Sequence, residues 1–165
     1  MKKVQKVKTI TRQNRYMTIS SSSLKGKPWI SPVFYAYDDD YNLYWVSSKN
    51  ARHSKNIKQN PHIAIVIFNS TKGEGEGDAV YIEADVKILM EDKEIEHGME
   101  FYNNRASKPD LMVKNPASVR GGNEWRFYRA TPKKVYKSGD KEVKVDGQHV
   151  DTRVKINLSS IKDLI

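Results

Sequence analysis

The chain has 165 residues, no cysteine and a formal net charge of +9, with 29 Lys and Arg against 20 Asp and Glu. Its length fits one domain, and the lack of cysteine excludes disulfides, thiolate metal ligands and a cysteine nucleophile. A hydrophobic fraction of 38%, with three Trp, nine Tyr and four Phe, is enough for a packed core and excludes a disordered chain. No apolar run approaches the roughly 20 residues of a spanning helix. The lysine-rich start lacks the apolar stretch of a secretory signal, so a cytoplasmic location is expected.

The charge is uneven. Residues 1–30 hold six Lys, two Arg and no acidic residue, whereas beyond residue 37 the chain carries 21 Lys and Arg against 20 Asp and Glu. Such a basic segment suits nucleic acid or an anionic membrane. The plainer reading is a solvated helix and strand, and the near balance of the remainder argues against a dedicated nucleic-acid binder.

In chain order, residues 2–14 predict a short helix with Val4, Val7 and Ile10 on one side. Tyr16 to Ser20 alternates as a strand, Lys25-Gly26-Lys27 turns, and Trp29 to Tyr37 forms the second strand. Asp38 to Asn42 is a polar hairpin loop that lacks the Gly and Glu spacing of a calcium loop. Leu43 to Ser47 returns as the third strand. Asn50 is the expected N-cap of a helix that starts near Ala51 and ends before Pro61.

His62 to Phe68 is a nearly continuous apolar run, which predicts a strand buried on both faces. Gly73 to Asp78 is a flexible loop whose glutamates would repel phosphate. Val80 to Leu89 predicts a long strand, Glu91 to Arg105 a helix, and residues 107–124 an irregular excursion suited to a lid or a dimer contact. Trp125 to Ala130 is a strong strand that Val135 to Lys137 continues past Pro132, and residues 140–165 are expected to pack along the outside. The sum is one domain over 1–165: a basic helix (1–15), a barrel (16–138) and a peripheral C-terminal segment (139–165). Its class is mainly β with some helix, a six-stranded antiparallel split β-barrel of Greek-key type, because closure removes vulnerable strand edges.

The chemistry concentrates at the third strand and the helix after it. Ser47 lies just upstream of Arg52-His53-Ser54-Lys55-Asn56, so hydroxyl and cationic groups gather at a helix start, where the backbone also favours an anion. His62, His97 and His149 have no ligand spacing to one another, so no metal is assigned. The Ser20–Ser23 run has no partnered base and reads as a strand end.

The run Pro28-Trp29-Ile30-Ser31-Pro32-Val33, then Leu43-Tyr44-Trp45-Val46-Ser47, Arg52-His53-Ser54-Lys55-Asn56-Ile57 and Asn60-Pro61-His62-Ile63-Ala64-Ile65 resembles the pyridoxamine 5'-phosphate oxidase-like family of FMN-binding split barrels. The resemblance is continuous over residues 16–68 and resumes at Val80–Leu89 and Trp125–Lys137. It implies a homodimer with FMN at the subunit interface and an oxidoreductase activity of unassigned substrate. Arg52, His53 and Ser47, with Lys55 and Asn56, would hold the phosphate. Ile30, Ser31, Pro32 and Val33 would run along the isoalloxazine and ribityl, and Trp45 and Val46 correspond to the family's aromatic-hydroxyl pair, with Val46 in place of the hydroxyl. The C-terminal Val145-Asp146-Gly147-Gln148-His149-Val150-Asp151-Thr152-Arg153 does not match the Arg-Leu-His-Asp-Arg run of the vitamin B6 oxidase itself, which points to a general family member. The alternatives are a related barrel for deazaflavin F420 or haem, a flavin-sequestering protein, and a basic nucleic-acid-binding module.

Overall fold

The first helix, α1 (Lys2–Gln13), carries its apolar positions at helical spacing and buries Val7, Ile10 and Thr11. The structure, a computed structural model, describes residues 2–139, 144–150 and 152–162. After α1 come β1 (Tyr16–Ser22), β2 (Pro28–Phe34), β3 (Ala36–Tyr37), β4 (Leu43–Ser48), α2 (Arg52–Gln59), β5 (His62–Phe68), β6 (Ala79–Ile88) and α3 (Asp92–Arg105). Two short 3-10 turns, Pro109–Leu111 and Pro116–Val119, lead into β7 (Trp125–Ser138). A hairpin of β8 (Lys144–Val145) and β9 (Gln148–His149), then β10 (Arg153–Ile156) and α4 (Leu158–Lys162), complete the described chain.

The main sheet runs β2-β1-β5-β6-β7-β4-β3, antiparallel throughout, with β10 added on β7. It curls into the expected split barrel, with seven strands along the path. The expected strand Trp29–Tyr37 is divided, because the chain turns a corner at Tyr35. Before the corner β2 pairs with β1, and after it β3 pairs with β4. The two ends of the sheet are therefore joined through one residue. The fully buried Tyr35 donates its hydroxyl to the Thr11 carbonyl at 2.7 Å.

Two cores result. The barrel interior packs Ile19, Trp45, Ile65, Ile82, Tyr128 and Val135 with Val7 of α1, and it also includes Ile156 and Ile161. The C-terminal segment thus contributes to the core, whereas the sequence suggested only an outer covering; positions 140–143, 151 and 163–165 of that stretch lie outside the described residues. A second core on the outer side of β4 and β7 packs Tyr44, Leu89, Ile95, Tyr102 and Phe127 with Val113 and Val119. The excursion over 107–124 is tied down over this second core. Asn103 exchanges two hydrogen bonds of 2.9 Å with the Val113 backbone, and Arg120 pairs with Asp92.

Pro132 sits in β7 at a register shift, where Ala84 faces Pro132 but Glu83 faces Lys134. The extra residue forms a bulge that accommodates the missing N–H. Strand β5 corrects the expectation of burial on both faces. Ile63, Ile65 and Ile67 are buried, while His62, Ala64 and Phe68 are exposed, because α3 covers only the β4 and β7 part of the outer surface. Among the described residues, no helix is long and apolar enough to cross a membrane.

Helix α3 approaches β4 and β7 at Gly98, where a Cβ would meet Phe127 at 2.5 Å and Tyr44 at 2.7 Å. Gly98→Ala should lower stability by about 1–3 kcal/mol through overpacking, although helix propensity alone predicts a gain. A calorimetric melt decides the sign, and an unchanged or raised melting temperature refutes the close approach.

Candidate functional site at the start of the second helix

Helix α2 is amphipathic. Its buried face (His53, Ser54, Asn56 and Ile57) lies against the barrel, while Arg52 and Lys55 face solvent. Polar spacing fixes its seat on β1. Asn56 donates to Ser21 Oγ at 3.1 Å, and Asn60, one turn on, donates to Ser22 Oγ at 3.0 Å. The Ser20–Ser23 run, which reads as a simple strand end, thus supplies the hydroxyls that hold the helix. The signal was present as Asn at i and i+4 on the buried side of the helix.

The helix start differs from expectation. Ala51 is the N-cap, with φ −59° and ψ 147°, and no side chain caps the first turn. Asn50 instead donates to Glu124 at 2.9 Å, and Ser48 also hydrogen-bonds Glu124. Among the described residues, the first-turn N–H groups of α2 therefore lack a side-chain capping acceptor, and no acidic residue occupies that turn. Such an end favours an anion.

Arg52 and Lys55 stand at i and i+3, on one side of the helix. The Arg52 guanidinium lies 4.3 Å from the centroid of the Trp29 ring, which is 40% exposed. This contact holds the long side chain over β2. His53 is buried, and its Nδ1 lies 3.1 Å from Ser31 Oγ, while its Nε2 is buried without a partner among the described residues. When Ser31 donates to Nδ1, the ring proton sits on Nε2, a donor without an acceptor.

The other expected site residues divide by strand alternation. Ile30 and Pro32 are exposed on the outer face of β2, while Val33 turns into the barrel core. Ser47 is buried on the core side of β4. Trp45 is fully buried, stacked on Tyr128 at 5.0 Å and 9°. Val46 points to the opposite face and packs against the second core. The structure therefore brings together Ser31, Arg52, His53 and Lys55 beside Trp29, whereas the side chains of Ile30 and Pro32 lie on the opposite face of β2. It sets the side chains of Val33, Trp45 and Val46 apart from them.

Burial lowers the pKa of His53 from its ordinary 6.5. The folded ring resists a proton that the unfolded chain accepts, so the unfolded state binds more protons just below pH 6.5 and stability rises with pH there. This contribution is fully present above 6.5 and is lost as pH falls toward the depressed folded value. The fall in melting temperature between neutral and mildly acid pH should be shallower in His53→Asn than in the parent chain. Parallel pH profiles would remove His53 as a cause.

Three solved structures share the fold at low identity. A haem-binding protein from Mycobacterium smegmatis is 14% identical with a TM-score of 0.73, covering 97% of this chain and 60% of its own. The haem-storage protein HutZ from Vibrio cholerae is 15% identical with a TM-score of 0.59, covering 78% of this chain and 89% of its own. General Stress Protein 26 from Bacillus anthracis is 16% identical with a TM-score of 0.60, covering 94% and 100%. No curated protein matches the sequence. The family model described as pyridoxamine 5'-phosphate oxidase matches residues 4–138, the helix and barrel that build the site, and the chain belongs to that family.

Proposed function

We propose that the chain is a cytoplasmic FMN-binding flavoprotein, an oxidoreductase that works as a homodimer. The observation that carries this reading is the uncapped first turn of α2, with Arg52 and Lys55 beside it and the unpartnered Nε2 of His53 below. These groups fit a phosphate, which needs several donors and positive charge in one place. Arg52 and Lys55 would neutralise the phosphate, and the first-turn N–H groups would donate to its oxygens. The outer face of β2 at Ile30 and Pro32 would lie along the flavin ring, and Trp29 would steady Arg52 from the opposite side.

FMN supplies hydride chemistry at its ring nitrogen when bound. The chain's own part is to bind, orient and exclude water. One barrel leaves the site open on its outer side, because Ile30 and Phe68 are 66% and 50% exposed. These residues and Ala64 lie on the uncovered strands β2 and β5, which flank β1. A second copy of the chain would cover this apolar strip and close the site.

One observation favours a second reading, haem binding. His62 is well exposed and its Nδ1 lies 2.6 Å from Asp85 Oδ1, the arrangement that orients a metal-ligating imidazole. Two of the structural neighbours are haem proteins by name. In that reading His62 would offer Nε2 to the iron and the α2 site would play no part.

The visible spectrum of the purified protein, reconstituted and then desalted, separates the readings: flavin bands support FMN, a Soret band supports haem, and a deazaflavin spectrum supports F420. The Arg52→Ala/Lys55→Ala double variant should bind FMN about 10- to 100-fold more weakly, with an unchanged melting temperature because both side chains are exposed. Full retention in this variant sinks the phosphate assignment. Ile30→Glu should convert a dimer to a monomer by light scattering and release FMN with it. A parent chain that is monomeric yet retains FMN contradicts the dimeric site.

A further inference from the structure

A cavity of about 200 Å³ lies between α1 and the corner that joins β3 to β4. Its helical wall is Gln5, Lys8, Thr9 and Arg12 of α1, at i, i+3, i+4 and i+7, with the buried Thr11 beside them. Its opposite wall is Tyr37 and Tyr41. None of these residues belongs to the candidate flavin site.

The two walls differ in a way that a structural role leaves unexplained. Tyr41 is fully buried and locked, with its hydroxyl 2.7 Å from Thr11 Oγ1 and a left-handed backbone at φ 62°. Tyr37 leans against it at a ring separation of 6.2 Å, and the Arg105 guanidinium holds Tyr37 from another side at 5.3 Å. The aromatic wall is therefore fixed in place. By contrast, the charged ends of Lys8 and Arg12 have no hydrogen-bond or ion-pair partner among the described residues. Partial burial lowers the pKa of Lys8. No acidic side chain is among the described residues that line the cavity. Of the nearby acids, Asp38 is occupied by Asn42 and Tyr44, and Asp40 by Lys162.

Rigid aromatic surface beside two uncompensated cations selects a flat apolar body that carries a negative charge. Size narrows the class. An apolar cavity of roughly 150 Å³ accepts benzene, so this volume suits one ring with one anionic group and is too small for a flavin or a dinucleotide. We propose that this cavity is a binding site for a single-ring aromatic anion, with the ring against Tyr37, which the buried Tyr41 backs, and the carboxylate or phosphate between Lys8 and Arg12.

The test is calorimetric titration of the full chain with benzoate and with phenyl phosphate, using benzyl alcohol and inorganic phosphate as controls. Saturable binding of either aromatic anion is expected, with no binding of benzyl alcohol and at least tenfold weaker binding of inorganic phosphate. The preferred anion identifies whether the site takes carboxylate or phosphate. Lys8→Ala/Arg12→Ala should weaken the aromatic anion tenfold or more and leave FMN retention unchanged, which separates this site from the flavin site. Tyr37→Leu should weaken the aromatic anion and leave inorganic phosphate unaffected. The proposal is overturned by the absence of saturable binding, by equal affinity for inorganic phosphate, or by undiminished binding in the double cation variant.

Discussion

The closure of the sheet at Tyr35 is the constraint on which the rest of the structure depends. Strands β2 and β3 are neighbours in sequence yet lie at opposite ends of the sheet path, so one residue must hold the seam. Burial raises the Tyr35 hydroxyl pKa, which keeps it a proton donor to Thr11. Arg105 covers the same ring at 5.0 Å and donates to the carbonyls of Thr11, Arg12 and Asn14 at 3.0, 3.1 and 2.7 Å. Those carbonyls lie at and just past the C-terminal end of α1, where acceptors lack helical partners. One side chain from the end of α3 thus satisfies the end of α1 and fixes the corner of the barrel.

This closure places the candidate site. With the seam at Tyr35, β2 pairs with β1, and β1 carries the hydroxyls that receive Asn56 and Asn60 of α2. The start of α2 is consequently set beside Ser31 and Trp29 without any contact from the barrel's covered outer side. Helix α3 and the 107–124 excursion take up the outer side of β4 and β7, and they leave β2, β1 and β5 bare. The anion-seeking helix end and the uncovered apolar strip are two results of one topology. A flavin is the kind of ligand that needs both, a charged tail and a flat apolar ring.

Much of the fold was legible because its signals are local. The alternation at Tyr16–Ser20 and the turn at Gly26 each report their own element. The Tyr35 corner was not legible, because residues 29–37 have unbroken strand character and the break depends on Thr11 and Arg105, distant in sequence. The burial of β5 was misjudged for a related reason. Its run of Ile, Ala and Val is equally suited to a covered face and to one left bare, and only the position of α3 decides between them. The excursion's two prolines and the Gly121-Gly122 pair announced irregularity but not the Asn103–Val113 bonds that anchor it.

At the candidate site, sequence identified the charged residues but not their directions. Arg52, His53 and Lys55 read as a cation cluster, yet one is buried and two are exposed, since a helix turns roughly 100° per residue. Trp45, Val46 and Ser47 read as a continuous contact, yet alternation sends Val46 to the opposite core. The reading that Asn50 caps α2 failed for an instructive reason. A capping asparagine there would consume the very donors that an anion requires, and Glu124, brought in by the start of β7, draws Asn50 away and leaves them open. The unfilled cap is therefore a tertiary property, produced by a residue more than seventy positions downstream. The same holds for α1, whose lysines read as a solvated face. A stripe of that helix becomes chemically distinct only when the barrel corner sets Tyr37 and Tyr41 opposite Lys8 and Arg12.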